Sequence, residues 1–310
     1  MAYALATVLF CLSHQTASAA RPHAQAAEPV KVTYQTTGFV PRILFIDVNN
    51  APAEVAAVRR AAGKQAHIDT WPTEAEISST ERKKVYDIGV KVEALQNTLN
   101  NNAVLCSSQP NSALCVKSWQ ALRTLEIERQ ALTQRVGLDS LKVLLSKVSA
   151  PYSMVVVSGH HENGFFEGEL TRINLKEFQG VINLHASAFE SVRSVLLLGC
   201  DTALDQMMQT RIRPIFPAAK VIIGAEGSAP TRNEPRNLKF IERVVKLEPQ
   251  LVATQQASFI KNSVANLRAG IWPVAMLWGD VYSAGTDTER QMPLAKLMRA
   301  AAQKQGLEKQ

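Results

Sequence analysis

Apolar residues run without interruption at Ile43-Leu44-Phe45-Ile46, Met154-Val155-Val156-Val157 and Val195-Leu196-Leu197-Leu198. Short runs lacking polar alternation are read as strands covered on both faces of a parallel sheet. Pro52 to Ala62 is predicted as a helix, with its proline tolerated in the first turn. Ala66 to Thr70 follows as a second strand, punctuated by Trp71-Pro72-Thr73. Strand, helix and strand within about thirty residues open a doubly wound α/β domain. Further along, the pattern predicts a helix from Asp201 to Ile212 and a strand from Lys220 to Gly224. Helices near Leu238 to Leu247 and Thr254 to Leu267 precede a last strand from Val274 to Trp278. These add up to a mostly parallel sheet of about six strands. An amphipathic or basic surface helix is expected from Met292 to Leu307.

A polar stretch interrupts this alternation. Within it Ile88, Val92, Leu95 and Leu99 recur at helical spacing, and so do Trp119, Leu122, Leu125, Leu132 and Val136. Two antiparallel helices are implied, a hairpin over residues 75–137 inserted into the α/β domain. Cys106 and Cys115 fall in its connection, where a disulfide is the natural reading. Cys200 then has no partner and is either a buried structural thiol or a reactive one. A partner-binding arm and a passive lid are both compatible with the hairpin.

The first twenty residues carry no charged side chain, hold an apolar stretch from Ala2 to Leu12, and end in Ala17-Ser18-Ala19. That order reads as a secretory signal peptide over 1–19, so a periplasmic or secreted location is expected. Residues 20–40 form an exposed lead-in, 41–285 the α/β domain with its insertion, and 286–310 a tail. The 310 residues are 46% hydrophobic and 20% charged, ample for a sizeable core. No segment is long enough to span a bilayer. The formal charge of +7 is spread over Arg59-Arg60, Arg82-Lys83-Lys84, Arg211, Arg213 and Lys246. Without interleaved aromatics this reads as a solvated surface, with no nucleic-acid partner.

The chemistry collects where two apolar runs end, at Gly159-His160 and Gly199-Cys200. In open α/β sheets the carboxyl ends of the strands line the functional crevice, and a Cys beside a His is a nucleophile with its base. The segment Val157-Ser158-Gly159-His160-His161-Glu162-Asn163-Gly164-Phe165-Phe166-Glu167-Gly168 adds two glycines in the turn and hairpin after His160. With Leu196-Leu197-Leu198-Gly199-Cys200-Asp201-Thr202-Ala203, this pattern resembles the caspase-like cysteine peptidases of clan CD. Within the clan it resembles most the CHAT subgroup, named for caspase-like domains in proteins with tetratricopeptide repeats. The resemblance covers roughly 42–70 and 150–278; the leader and the helical hairpin lie outside it.

The resemblance implies a three-layer αβα fold and a cysteine endopeptidase acting on a protein or peptide, with Cys200 as nucleophile, His160 as base, and no metal or cofactor. It further implies that the backbone N–H groups of Cys200 and of the residue after the histidine hold the oxyanion. The family prefers glycine at that second position, and this chain has His161. The doubled histidine offers two bases, of which the glycine spacing favours His160. Asp47 at the first strand end and Asp201 after the nucleophile are candidates for a pocket selecting Arg or Lys, although Asp at such positions also caps turns and helices. Glu162, Glu167 and Thr202 have no assigned role. A catalytically inactive binding protein of the same fold, engaging a partner through the hairpin, is the alternative. A metal hydrolase built from His160, His161, Glu162 and His185 lacks the i, i+4 ligand spacing of zinc peptidases. His67 is read as a strand residue without ligand company.

Overall fold

The computed structural model describes residues 40–203, 208–227, 229, 232, 234–268, 274–279, 281–283 and 291–293. The proposed leader, nearly all of the lead-in, and the tail beyond Pro293 lie outside them. The three apolar runs are strands β1 (Arg42–Asp47), β3 (Met154–Ser158) and β7 (Ser194–Leu198), and every residue from Ile43 to Asp47 and in β3 and β7 is buried. With β2 (His67–Trp71), β8 (Val221–Ala225) and β9 (Val274–Trp278) they form the expected six-stranded sheet, ordered β9-β8-β7-β3-β1-β2. All pairs in it are parallel except β8 with β9. Two short strands, Val281–Ser283 and Gln291–Pro293, extend it antiparallel to eight. The second of these begins where a helix was expected from Met292.

Side chains of successive strand residues leave on opposite faces, which makes two cores from one sheet. Phe45, Val156, Leu196 and Ile223 pack on α1 (Pro52–Ala62), α8 (Pro235–Ala253) and α9 (Ala257–Arg268). Leu44, Ile46, Val155, Val195 and Leu197 pack on α5 (Leu138–Leu145), α6 (Leu175–Leu184) and α7 (Ala186–Phe189). The fold is therefore a three-layer αβα sandwich. Helices α5 and α6 were not anticipated; Leu141, Leu145, Phe178, Val181 and Ile182 are their buried stripes.

The insertion is the expected pair of helices, α2 (Ser79–Asn101) and α4 (Ala113–Thr133), with a short α3 (Ala103–Ser108) in their connection. Ser78 and Glu81 start α2 with a capping box. The Cys106 and Cys115 sulfurs lie at bonding distance, 2.00 Å, with Cα atoms 5.7 Å apart. Little else in α4 is buried: Cys115 and Ser118 are, while Trp119 and Ile127 face outward.

The helix expected from Asp201 to Ile212 does not form over its described part. Asp201 has φ +54° and begins a turn through Ala203, and Met208–Ile212 is a single π-type turn. The turn is fixed from outside. Thr202 Oγ1 donates to the Gly199 carbonyl (2.9 Å) and accepts from Ala225 N–H (3.1 Å), while Ala203 N–H reaches the Ala225 carbonyl.

Candidate functional site

Strands β3 and β7 are neighbours, paired Met154 to Ser194 through Ser158 to Leu198. The last pair is Ser158 with Leu198; two residues beyond it come His160, the first residue of a strand in a second sheet, and Cys200, each just past the carboxyl end of one of these adjacent strands. Both strands bend at glycine. A Cβ on Gly199 would lie 2.6 Å from the Gly159 carbonyl oxygen and 3.0 Å from the His161 Cβ, so only a bare backbone admits this approach. Gly199→Ala is expected to cost roughly 2–3 kcal/mol, to be read as a shift in denaturant midpoint together with slower alkylation of Cys200.

After Gly159 the chain enters a small antiparallel sheet of β4 (His160–Glu162), β5 (Phe165–Glu167) and β6 (Arg172–Asn174). Asn163 and Gly164, with φ 49° and 83°, make the two-residue turn between the first two strands. In such a hairpin the pair flanking the turn, Glu162 and Phe165, exchanges hydrogen bonds, and bonded pairs alternate from there. The His161 N–H is accordingly directed away from β5. Gly168 lies against the Val48 carbonyl, where any side chain would collide.

The two imidazoles have different surroundings. The ring of His161 packs on Phe166, centroids 5.2 Å apart, and its Nδ1–H donates to the Cys200 carbonyl at 3.1 Å. Its Nε2 is buried without a hydrogen-bond partner. His160 is the more exposed residue. Desolvation holds both rings below the ordinary imidazole value. For His160, Arg232 works in the same direction while Glu167 and Glu169 oppose it; for His161, Arg211 adds to the effect while the Cys200 carbonyl and Asp201 oppose it. Cys200 Sγ accepts the Ala229 N–H at 3.3 Å, and Cys200 is not in a disulfide.

Asp47 does not line a pocket. It is 1% exposed; Oδ1 accepts the Ala51 N–H that leads into α1, and Oδ2 pairs with Arg82 at 2.9 Å. Burial raises its carboxyl above the usual range despite the opposing pull of Arg82. Both oxygens of its carboxylate are thus engaged inside the protein, one by the turn ahead of α1 and one by Arg82. Asp201 stays exposed, its N–H bonded to the Gly227 carbonyl. Thr202 latches the turn after Cys200; Glu167 pairs with Arg172 on the hairpin surface. Among the described residues, no three of His, Cys, Asp and Glu converge as metal donors. His185 precedes α7, and His67 bonds to Asp69 in β2.

Three groups around the site carry no sequence signal, because their partners are remote in the chain. Arg232 binds the Asn49 carbonyl and Glu169 and lies over the Tyr86 ring. Arg211 lies against Gly164 of the hairpin turn. Beneath His160, Glu54 of α1, Asn237 of α8 and Ser158 of β3 form a buried polar group.

No protein-family model, curated protein or solved structure matches the chain.

Proposed function

We propose that this chain is a caspase-like cysteine endopeptidase with Cys200 as nucleophile and His160 as base. The observation that carries the reading is that Gly159-His160 and Gly199-Cys200 follow directly on the Ser158–Leu198 pair, at the carboxyl ends of adjacent parallel strands. In the mechanism, His160 takes the Cys200 proton and the thiolate attacks a peptide carbonyl carbon. The oxyanion forms against the N–H groups of Cys200 and His161, each contributing about 3 kcal/mol. The proton passes from His160 to the leaving amine, and water then hydrolyses the acyl-enzyme.

A preference for Arg or Lys before the cut now rests on Asp201 alone, since Asp47 is engaged by Arg82 and the Ala51 N–H. The alternative, an inactive binding protein of this fold, draws on His161, which stands where the family prefers glycine. A cysteine pair at bonding distance fits an oxidising, extracytoplasmic address. No helix among the described residues is long and apolar enough to cross a membrane. Export through a leader over 1–19 completes the reading.

The test is a proteome-derived peptide library, incubated with and without calcium and reductant, with new termini identified by mass spectrometry. Cleavage is expected, and the residue before each cut reports specificity. No cleavage under any condition favours the binding protein. With a substrate in hand, the acid limb of kcat/KM is expected below pH 6.5, because protonation silences a base whose pKa is lowered from 6.5. A limb above that value contradicts a desolvated His160 as base.

A further inference from the structure

Glu54 sits in the first turn of α1, 2% exposed, below the strand end that carries His160. Its Oε1 accepts from Asn237 Nδ2 at 2.7 Å. Its Oε2 has no hydrogen-bond partner, nor does the hydroxyl of Ser158, 1% exposed, which interacts with this carboxyl. Unpaired buried oxygens are costly, and a hydrogen bond between these two satisfies both, donated either by the serine hydroxyl to an ionised carboxylate, which lowers the Glu54 value, or by a carboxyl carrying one proton to the serine.

Charge bookkeeping selects the protonated carboxyl. The charged groups that act on Glu54 are Asp47 at the end of β1 and Arg232 ahead of α8, and Asp47 is itself bound by Arg82 from α2. Arg82 is committed to Asp47 and Arg232 to Glu169. An ionised Glu54 would be a second buried negative charge beside Asp47, with no cation of its own in contact. From α8 and β3 the facing groups are the neutral Asn237 and Ser158.

We propose that Glu54 is a positioning residue for the Cys200–His160 site: as a neutral acid it donates to Ser158 Oγ and holds the strand end from which Gly159-His160 departs. This rests on the dyad reading above. Ser158 is locked on its backbone side as well, its carbonyl accepting from Val48 N–H at 2.9 Å and its neighbour Gly159 donating to the Leu198 carbonyl at 3.4 Å. Glu54 thus ties α1, α8 and β3 together one step behind the base. Burial pushes its carboxyl from 4.5 up to about 8. Since the folded value is raised, the stabilisation from this proton is complete below about pH 4.5 and is lost as pH climbs through about 8.

Two measurements on the mature protein test this. The first is the infrared difference spectrum of the native protein minus Glu54→Gln. It should show a carboxylic-acid carbonyl band at about neutral pH that disappears above about pH 8; absence of the band at neutral pH overturns the proposal. The second is the rate of Cys200 alkylation by iodoacetamide, read by mass spectrometry and expressed as the ratio to His160→Ala. Thiol ionisation lowers this ratio in every variant as the pH rises, and from about pH 7 to about pH 9 it is expected to fall several-fold further in the native protein than in Glu54→Gln. Ser158→Ala should lower it at about pH 7 and approach the native value at about pH 9. Equal pH profiles in native and Glu54→Gln protein, or an unaltered ratio in Ser158→Ala at about pH 7, overturn the positioning role. A ratio of one throughout overturns the dyad itself and with it the positioning, while the infrared band still reports the proton on Glu54 independently.

Discussion

Cys200→Ala is expected to lower kcat for peptide hydrolysis at least ~10³-fold, to background, while the variant keeps the native denaturation midpoint. The thiol contributes the bond to substrate, and no oxyanion hole replaces it. His160→Ala is expected to lose ~10²-fold or more, the typical yield of a positioned base. His161→Ala separates the two histidines. Its ring bonds the Cys200 carbonyl, whereas the oxyanion role proposed for it belongs to its backbone, so truncation is expected to act mainly through the shape of the Cys200 turn and to cost less than His160→Ala. Hydrolysis that survives Cys200→Ala would end the cysteine peptidase proposal, and a larger loss at His161 than at His160 would exchange the base.

The largest change in stability is expected at Arg82→Ala. Asp47 is 1% exposed and Arg82 is its ion-pair partner. Removing the guanidinium leaves a buried carboxylate without its counter-charge, a loss of about 3–5 kcal/mol near neutral pH. The loss should shrink as the pH is lowered, because a lone Asp47, already raised by burial, takes a proton to escape it. Asp47→Asn keeps an acceptor for the Ala51 N–H and should restore most of the stability in the double variant. Urea denaturation of the three variants measures the coupling directly; additive losses would show that the pair is not the source.

The positions of the sheet strands were legible because their apolar runs are local and unbroken. The Lys220 to Gly224 strand came out one residue early, and Val274–Trp278 matched. The placing of His160 and Cys200 at strand ends was legible for the same reason. What surrounds them was not. The turn after Cys200 reads as a helix start until Thr202 is seen bridging Gly199 and Ala225. Asp47 reads as a turn or cap residue more readily than as a pocket wall, and the arginine that buries its charge comes from the insertion, out of reach of any local pattern. The three-stranded sheet after Gly159 is built of strands too short for period-two alternation to show beyond one hairpin. Glu54 looks like an ordinary acidic residue in a first helical turn, and its burial follows only from the packing of α8 across it.

The strand order also governs when the chain can assemble. Strand β1 pairs on one side with β2 and on the other with β3, and the entire helical insertion must be traversed before β3 arrives. Strand β7 joins later still, and its turn closes only against β8. Sheets built from such distant pairings form slowly and late. A thiol and an imidazole placed just beyond β7 and β3 remain apart until the centre of the sheet has closed, so the proposed dyad is not assembled while the newly made chain is still unfolded.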